Sequence, residues 1–395
     1  MPPINPNTTR VLKILLHVGF FLSGIATVII GQLLPIMKDK FALNDEQLGN
    51  FFPAQFAGSL IGTFLTSWFG KRNNFLLASL VGCFLMSGGA LMLNAGSYEM
   101  CLAGFFVNGL GIGLTLPSIN MLILELNPRR GAAALSFLNF FWGVGAILSQ
   151  PFVDQFAHGT NILMPTAALS VALFLNGAAL ALVPKGIERK PEAGAAEEEI
   201  DFSVPIWTNP VAWTIAAFNF IHVGFESAMG GWLKTYTQRI EDAASASLLL
   251  PPITLFFVFF VAGRGVAPLF FRYLNENRML FLGLFLILLG MIVLLSARGV
   301  PALSVGASVA GFGTSWVFPT NMSRFTNIFG ASASRRMMPF FICGTLGATF
   351  TTWFIGYVSN RFDNDLRSGM FILLGSVVIL IVLQIVLRKP SVSSQ

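Results

Sequence analysis

Apolar residues along this chain gather into long unbroken runs, each closed by a short cluster of charge, Gly, Pro or Asn. A helix that crosses a bilayer needs about 20 apolar residues, and runs of that length recur twelve times. They predict spanning helices over 11–35, 47–69, 73–95, 98–123, 132–153, 162–183, 210–235, 247–271, 279–297, 300–323, 336–358 and 367–387. A transmembrane barrel would instead show segments of about ten residues alternating in polarity, and the runs here are longer and continuously apolar. Arg10 and Lys13 precede the first run as they would in a signal peptide, but no small-residue cleavage site follows, so the segment reads as a retained helix.

Composition agrees with lipid as the main solvent. Of 395 residues 54% are hydrophobic and 11% charged, a balance that leaves a water-soluble domain short of polar surface. The net charge of +6 would suggest nucleic acid in a soluble protein. Its distribution says otherwise. With the N-terminus inside, 16 of the 24 Lys and Arg fall in inner segments, so the positive-inside rule puts both termini in the cytoplasm of an inner (plasma) membrane protein. The basic residues then face lipid headgroups and no nucleic-acid partner is expected. Cys83, Cys101 and Cys343 lie in or beside apolar runs without metal-ligand spacing, so neither a metal nor a disulfide framework is expected.

The polar stretch 185–208, with its charges and prolines, suits a cytoplasmic linker between a bundle over 1–184 and another over 209–395. The acidic run at Glu197, Glu198, Glu199 and Asp201 reads as part of that solvated linker. A parallel duplication leaves matched residues at a nearly constant offset. Gly109, Gly111 and Pro117 recur as Gly311, Gly313 and Pro319 at 202, and Gly145 recurs as Gly347. His17-Val18-Gly19-Phe20 recurs as His222-Val223-Gly224-Phe225 at 205, which predicts that His17 superposes on His222.

Twelve spans in two parallel six-span halves resemble the major facilitator superfamily of secondary transporters. Gly70-Lys71-Arg72 resembles the tail of its signature between spans two and three, although Ser67 stands where the signature has an acidic residue. The stretches 127–151 (NPRRGAAALSFLNFFWGVGAILSQP), 226–236 (ESAMGGWLKTY) and Gly263-Arg264 resemble the branch of fucose, glucose and galactose proton symporters. The acidic residue that the fucose symporter pattern carries in span one is absent. The resemblance implies that spans one, four, seven and ten line a central cavity with the solute near the midplane.

An ionisable side chain within a span is costly unless paired or hydrated, so each is a candidate for function. Glu226 falls near the middle of span seven, one turn from His222. The pair suits proton coupling; a hydrogen-bonded structural pair is the plainer reading. Arg264 either snorkels to the surface or turns inward toward Glu226 or an anionic solute. Glu125, Arg129 and Arg130 after span four, with Lys71 and Arg72, suit a gate or interfacial charges. Gln32, Asn108, Asn120, Asn139, Asn219 and Asn321 offer amide donors and acceptors to hydroxyls. Trp142 and Trp316 offer flat faces, and His17 joins them by the repeat. Each amide or indole serves equally well as packing between helices. Gly109-Leu110-Gly111-Ile112-Gly113 lacks the strand and Lys of a phosphate loop and reads as helix packing.

The expectation is therefore an all-α, twelve-span carrier that moves a sugar or related polyhydroxylated solute by proton-coupled alternating access, with sodium as the other candidate ion. Efflux of amphipathic drugs or lipids is the second reading, and WGVGAILSQP in span five only partly resembles the Gly-Pro signature of efflux proteins. A non-transporting membrane receptor is the third. No nucleophile-base pair, metal cluster or nucleotide loop points to an enzyme or a cofactor. The expected partners are a small solute and the bilayer, and a monomer is the expected state.

Overall fold

The computed structural model describes residues 6–72, 74–127, 131–183, 206–240, 250–329 and 336–388. These residues are almost entirely helical. The first half holds α1 (Pro6–Phe41), a short α2 (Asp45–Gly49), α3 (Phe51–Gly70), α4 (Phe75–Met92), α5 (Tyr98–Leu126), α6 (Gly131–Phe156) and α7 (Leu163–Ala181). A 3-10 turn (Ile206–Thr208) leads into α8 (Pro210–Ile240), α9 (Pro252–Phe270), α10 (Glu276–Ser296), α11 (Val300–Thr314), α12 (Val317–Phe329), α13 (Met338–Arg361) and α14 (Leu366–Leu387). Ten stretches among the described residues are long and apolar enough to cross a membrane, with α11 and α12 forming one of them. Spans two and seven, the more polar pair, are α3 and α8. The molecule is a multi-pass α-helical membrane protein.

Helix ends are closed by side chains the sequence supplies. Ser97 caps α5 by accepting from Met100 N, Asn275 caps α10 by accepting from Arg278 N, and Asp365 caps α14 by accepting from Arg367 N and Ser368 N. Each satisfies backbone donors that a helix start leaves open. Between helices, lipid tails remove most of the hydrophobic drive, so close packing through small residues must hold the bundles together.

That packing is where the duplication shows. Gly109 of α5 sits against the carbonyl of Gln55 in α3, as Gly311 of α11 sits against that of Phe256 in α9. Gly111 and Gly313 meet the carbonyls of Gly82 and Gly283 in the same way, and Gly145 and Gly347 meet those of Phe21 and Phe220. None of these positions has room for a β-carbon. The matched partners Phe21 and Phe220 put α1 and α8 at an offset of 199, so the His-Val-Gly-Phe match at 205 is six residues out of register. Gly19 faces Asn176 of α7, whereas Gly224 faces Gly347 and Thr351 of α13. His222 therefore corresponds to Ser23 and Glu226 to Thr27, and His17 does not superpose on His222.

The chain divides into two compact units, Met1–Leu43 with Asn50–Ala195, and Asn44–Gly49 with Ala196–Gln395. Two details differ from the sequence reading. Residues 206–208, placed in the linker, are folded: Ile206 is buried, and Trp207 stacks on Phe325 and donates to the Arg336 carbonyl at 2.9 Å. Segment 44–49, which follows the first span, belongs to the second unit. There Asp45 is buried, held by Arg239 Nη1 and Nη2 at 2.7 and 2.5 Å and by the Ser359 hydroxyl at 2.5 Å, while Glu46 accepts from Asn360 at 3.0 Å.

Candidate functional site

Three ionisable side chains of the second unit, His222, Glu226 and Arg264, lie on α8 and α9. His222 and Glu226 lie one turn apart on α8, with His222 Nε2 3.8 Å from a Glu226 carboxylate oxygen. His222 is fully buried and neither ring nitrogen has a hydrogen-bond partner, while Glu226 is 23% exposed. Arg264 of α9 is half-buried against the tenth span, and its charge reaches both residues. Its guanidinium lies 4.1 Å from the Phe260 ring centre, a cation-π contact, and its Nε donates to the Ser315 carbonyl at 3.3 Å.

A proline explains why that carbonyl is available. A residue four positions before a proline loses its helical hydrogen bond because the proline ring has no N–H. Pro319 thereby frees Ser315, and the tenth span breaks there into α11 and α12. Gly263 allows the approach, since a β-carbon at that position would collide with the Ser315 side chain. The first unit repeats the arrangement without a charge. Pro117 frees the Gly113 carbonyl, which accepts from the Thr66 hydroxyl of α3 at 3.0 Å. Freed carbonyls in lipid need such partners; one unit supplies a hydroxyl and the other a guanidinium.

The other candidates separate by how their polar atoms are used. Asn108 donates to the Ala26 carbonyl at 3.0 Å, Asn219 to Phe340 at 2.9 Å and Asn321 to Ile215 at 3.2 Å, so all three join helices. Trp316 is 1% exposed, its N–H donates to Met279 at 2.9 Å and its ring packs on Phe270 and Phe312. No flat face remains for a solute. Asn139 is exposed and bonds back to Leu135 in its own helix, and Asn120 is half-buried on α5. Gln32 stands apart: it is fully buried on α1 and neither amide atom has a hydrogen-bond partner. Trp142 Nε1 on α6 is likewise buried and unsatisfied. Such groups lose free energy unless water or a ligand meets them.

His17 lies toward the N-terminal end of α1, against Phe137 and Phe141, far along the helix from the level of Ser23 and Thr27 that matches His222 and Glu226. Among the proposed gate charges, Glu125 is half-buried near the end of α5, Lys71 is exposed and Arg72 lies over the Trp68 ring. Arg129 and Arg130 lie outside the described residues. Two charge networks escaped the sequence reading. Arg324 is buried in α12, where it bonds Asn321 and, at 2.7 Å, Gln384. The Asp45–Arg239 pair is the other. The signal for the Arg264 contact was present as Pro319 minus four; the partners of Asp45 are separated from it by about two hundred residues or more and left none.

Two six-span repeats with intramembrane charges beside a broken helix define a polytopic carrier fold. The Major Facilitator Superfamily model matches residues 16–338, and the chain belongs to that family. It is 27% identical to Sodium-dependent glucose transporter 1 of Xenopus laevis over 65% of this chain and 57% of that protein. It is 23% identical to Sodium-dependent glucose transporter 1A of Mus musculus over 95% of each. The solved D-xylose-proton symporter superposes with a TM-score of 0.74 at 18% identity, covering 94% of this chain and 96% of the other.

Proposed function

We propose that this transporter moves a sugar or related polyhydroxylated solute by proton-coupled alternating access, with Glu226 as the coupling carboxylate. The observation that carries the reading is the Glu226–His222–Arg264 cluster inside the spans, beside the carbonyl freed by Pro319. While Glu226 is ionised its charge offsets that of Arg264. Protonation leaves the guanidinium uncompensated, so taking up a proton changes the electrostatic balance between states. His222 offers an unsatisfied imidazole one turn away as a relay.

The solute class rests on two supports. The relatives named above are glucose transporters, and the similar structure is a xylose-proton symporter. Gln32 adds an amide with a free donor and acceptor, the pairing a hydroxyl uses best. We place the protein in an inner membrane with both termini cytoplasmic, from the Lys and Arg asymmetry. Counterflow of labelled monosaccharides in liposomes tests the reading. Trans-stimulated uptake of a sugar at constant pH is expected, and a flux that responds to sodium but not to protons would move the coupling to a sodium site.

A further inference from the structure

The first unit contains a cavity of about 700 Å3 at the N-terminal end of α1. One end is basic. Arg10 and Lys13 line it, with Asn127 from the end of α5, and no acidic residue is among the described residues of the lining. Lys13 Nζ donates to Asn127 Oδ1 at 2.6 Å, which holds the ammonium in place without neutralising it. The rest is apolar, walled by Phe137 and Phe141 of α6 and by Ile14 and Val18, which are exposed along one face of α1.

His17 adds directional chemistry between the two ends. Its Nδ1 lies 2.7 Å from the Lys13 carbonyl. A carbonyl can only accept, so Nδ1 carries the proton and Nε2 of the neutral ring is left as an acceptor. That atom is buried and has no partner. An occupant with a hydroxyl beside its negative group would satisfy it.

We propose that this cavity binds an anionic amphipath: a phosphate or carboxylate at Arg10 and Lys13, a neighbouring hydroxyl at His17 Nε2, and an apolar body along Phe137 and Phe141. Basic charge with no acidic residue in the described lining, joined to an exposed apolar wall, selects this class over a neutral sugar. A phospholipid headgroup with a glycerol and a free organic phosphate share the chemistry, and the two sources separate by whether the apolar body is needed.

The test uses the full chain in zwitterionic phosphatidylcholine nanodiscs. Phosphatidylglycerol is titrated in one arm and glycerol 3-phosphate in the other, with binding read by native mass spectrometry and thermal shift. Phosphatidylglycerol binding well above any further binding of phosphatidylcholine is expected, reduced on the order of five-fold by Arg10→Gln and more by Arg10→Gln/Lys13→Gln. Saturable binding of glycerol 3-phosphate with the same dependence on Arg10 upholds the site and names the soluble source. Arg10 is exposed, so the single variant keeps the test decisive even where the double variant fails to fold. Equal binding of both anions by wild type and Arg10→Gln overturns the proposal.

Discussion

Replacing Arg239 by Gln tests how segment 44–49 is fastened to the second unit. Asp45 is fully buried and receives two bonds from Arg239 and one from Ser359, and Arg239 also donates to the Asn364 carbonyl at 2.8 Å. Removing one partner of a buried ion pair costs about 3–5 kcal/mol, because the remaining charge is stranded. Arg239 is 23% exposed, so the lower end applies, about 3 kcal/mol. The cheapest escape is for the segment to undock and hydrate Asp45. Opening should then become roughly 150-fold more frequent, at 1.4 kcal/mol per decade. Hydrogen exchange reads this at the amides of Asp45, bonded to Asn364 Oδ1 at 3.0 Å, and Leu48, bonded to the Asn44 carbonyl at 3.1 Å. Adding Asp45→Asn removes the stranded charge and should slow exchange again. Exchange in Arg239→Gln within about threefold of wild type, or a double variant no slower than the single, would refute the reasoning.

Pro319→Ala restores an N–H that competes with Arg264 for the Ser315 carbonyl; the melting temperature in detergent should hold or rise while transport falls, and unchanged transport would separate the break from function. Gly109→Ala and Gly311→Ala both force a β-carbon into a backbone carbonyl, so both should lower the melting temperature, and tolerance at either would contradict the packing repeat. Trp316→Phe removes the N–H that bonds the Met279 carbonyl, which keeps its own helical bond, at a cost of about 0.5–1.5 kcal/mol; it should reduce stability without changing solute affinity, whereas Trp142→Ala should weaken solute binding.

The spans and the duplication were legible because lipid imposes a length of apolar run and close helices impose glycine, and both leave local marks. The repeat could be misaligned by the same token. The four residues matched at His17 and His222 carry no common backbone contact, whereas the glycines do, and the glycines set the register. The Glu226–His222 spacing was readable because one turn of helix fixes it. Arg264 was ambiguous until the carbonyl freed by Pro319 gave it a partner on the tenth span. Trp316 and the asparagines show the limit: whether a buried amide or indole serves a solute or a neighbouring helix depends on which carbonyl lies opposite. Asp45 finds Arg239, Ser359 and Asn364 far along the chain, and no pattern near Asp45 announces them.

The central claim is that Glu226 couples solute movement to protons, and the most direct measurement compares wild type with Glu226→Gln in liposomes under an imposed pH gradient. The amide mimics a protonated carboxyl but cannot release a proton. The variant should therefore exchange labelled sugar across the membrane at a rate near that of wild type while failing to accumulate it against a gradient. Its solute affinity should also stay level across pH, where that of wild type declines as pH rises. Concentrative, pH-driven uptake retained in Glu226→Gln would contradict the account.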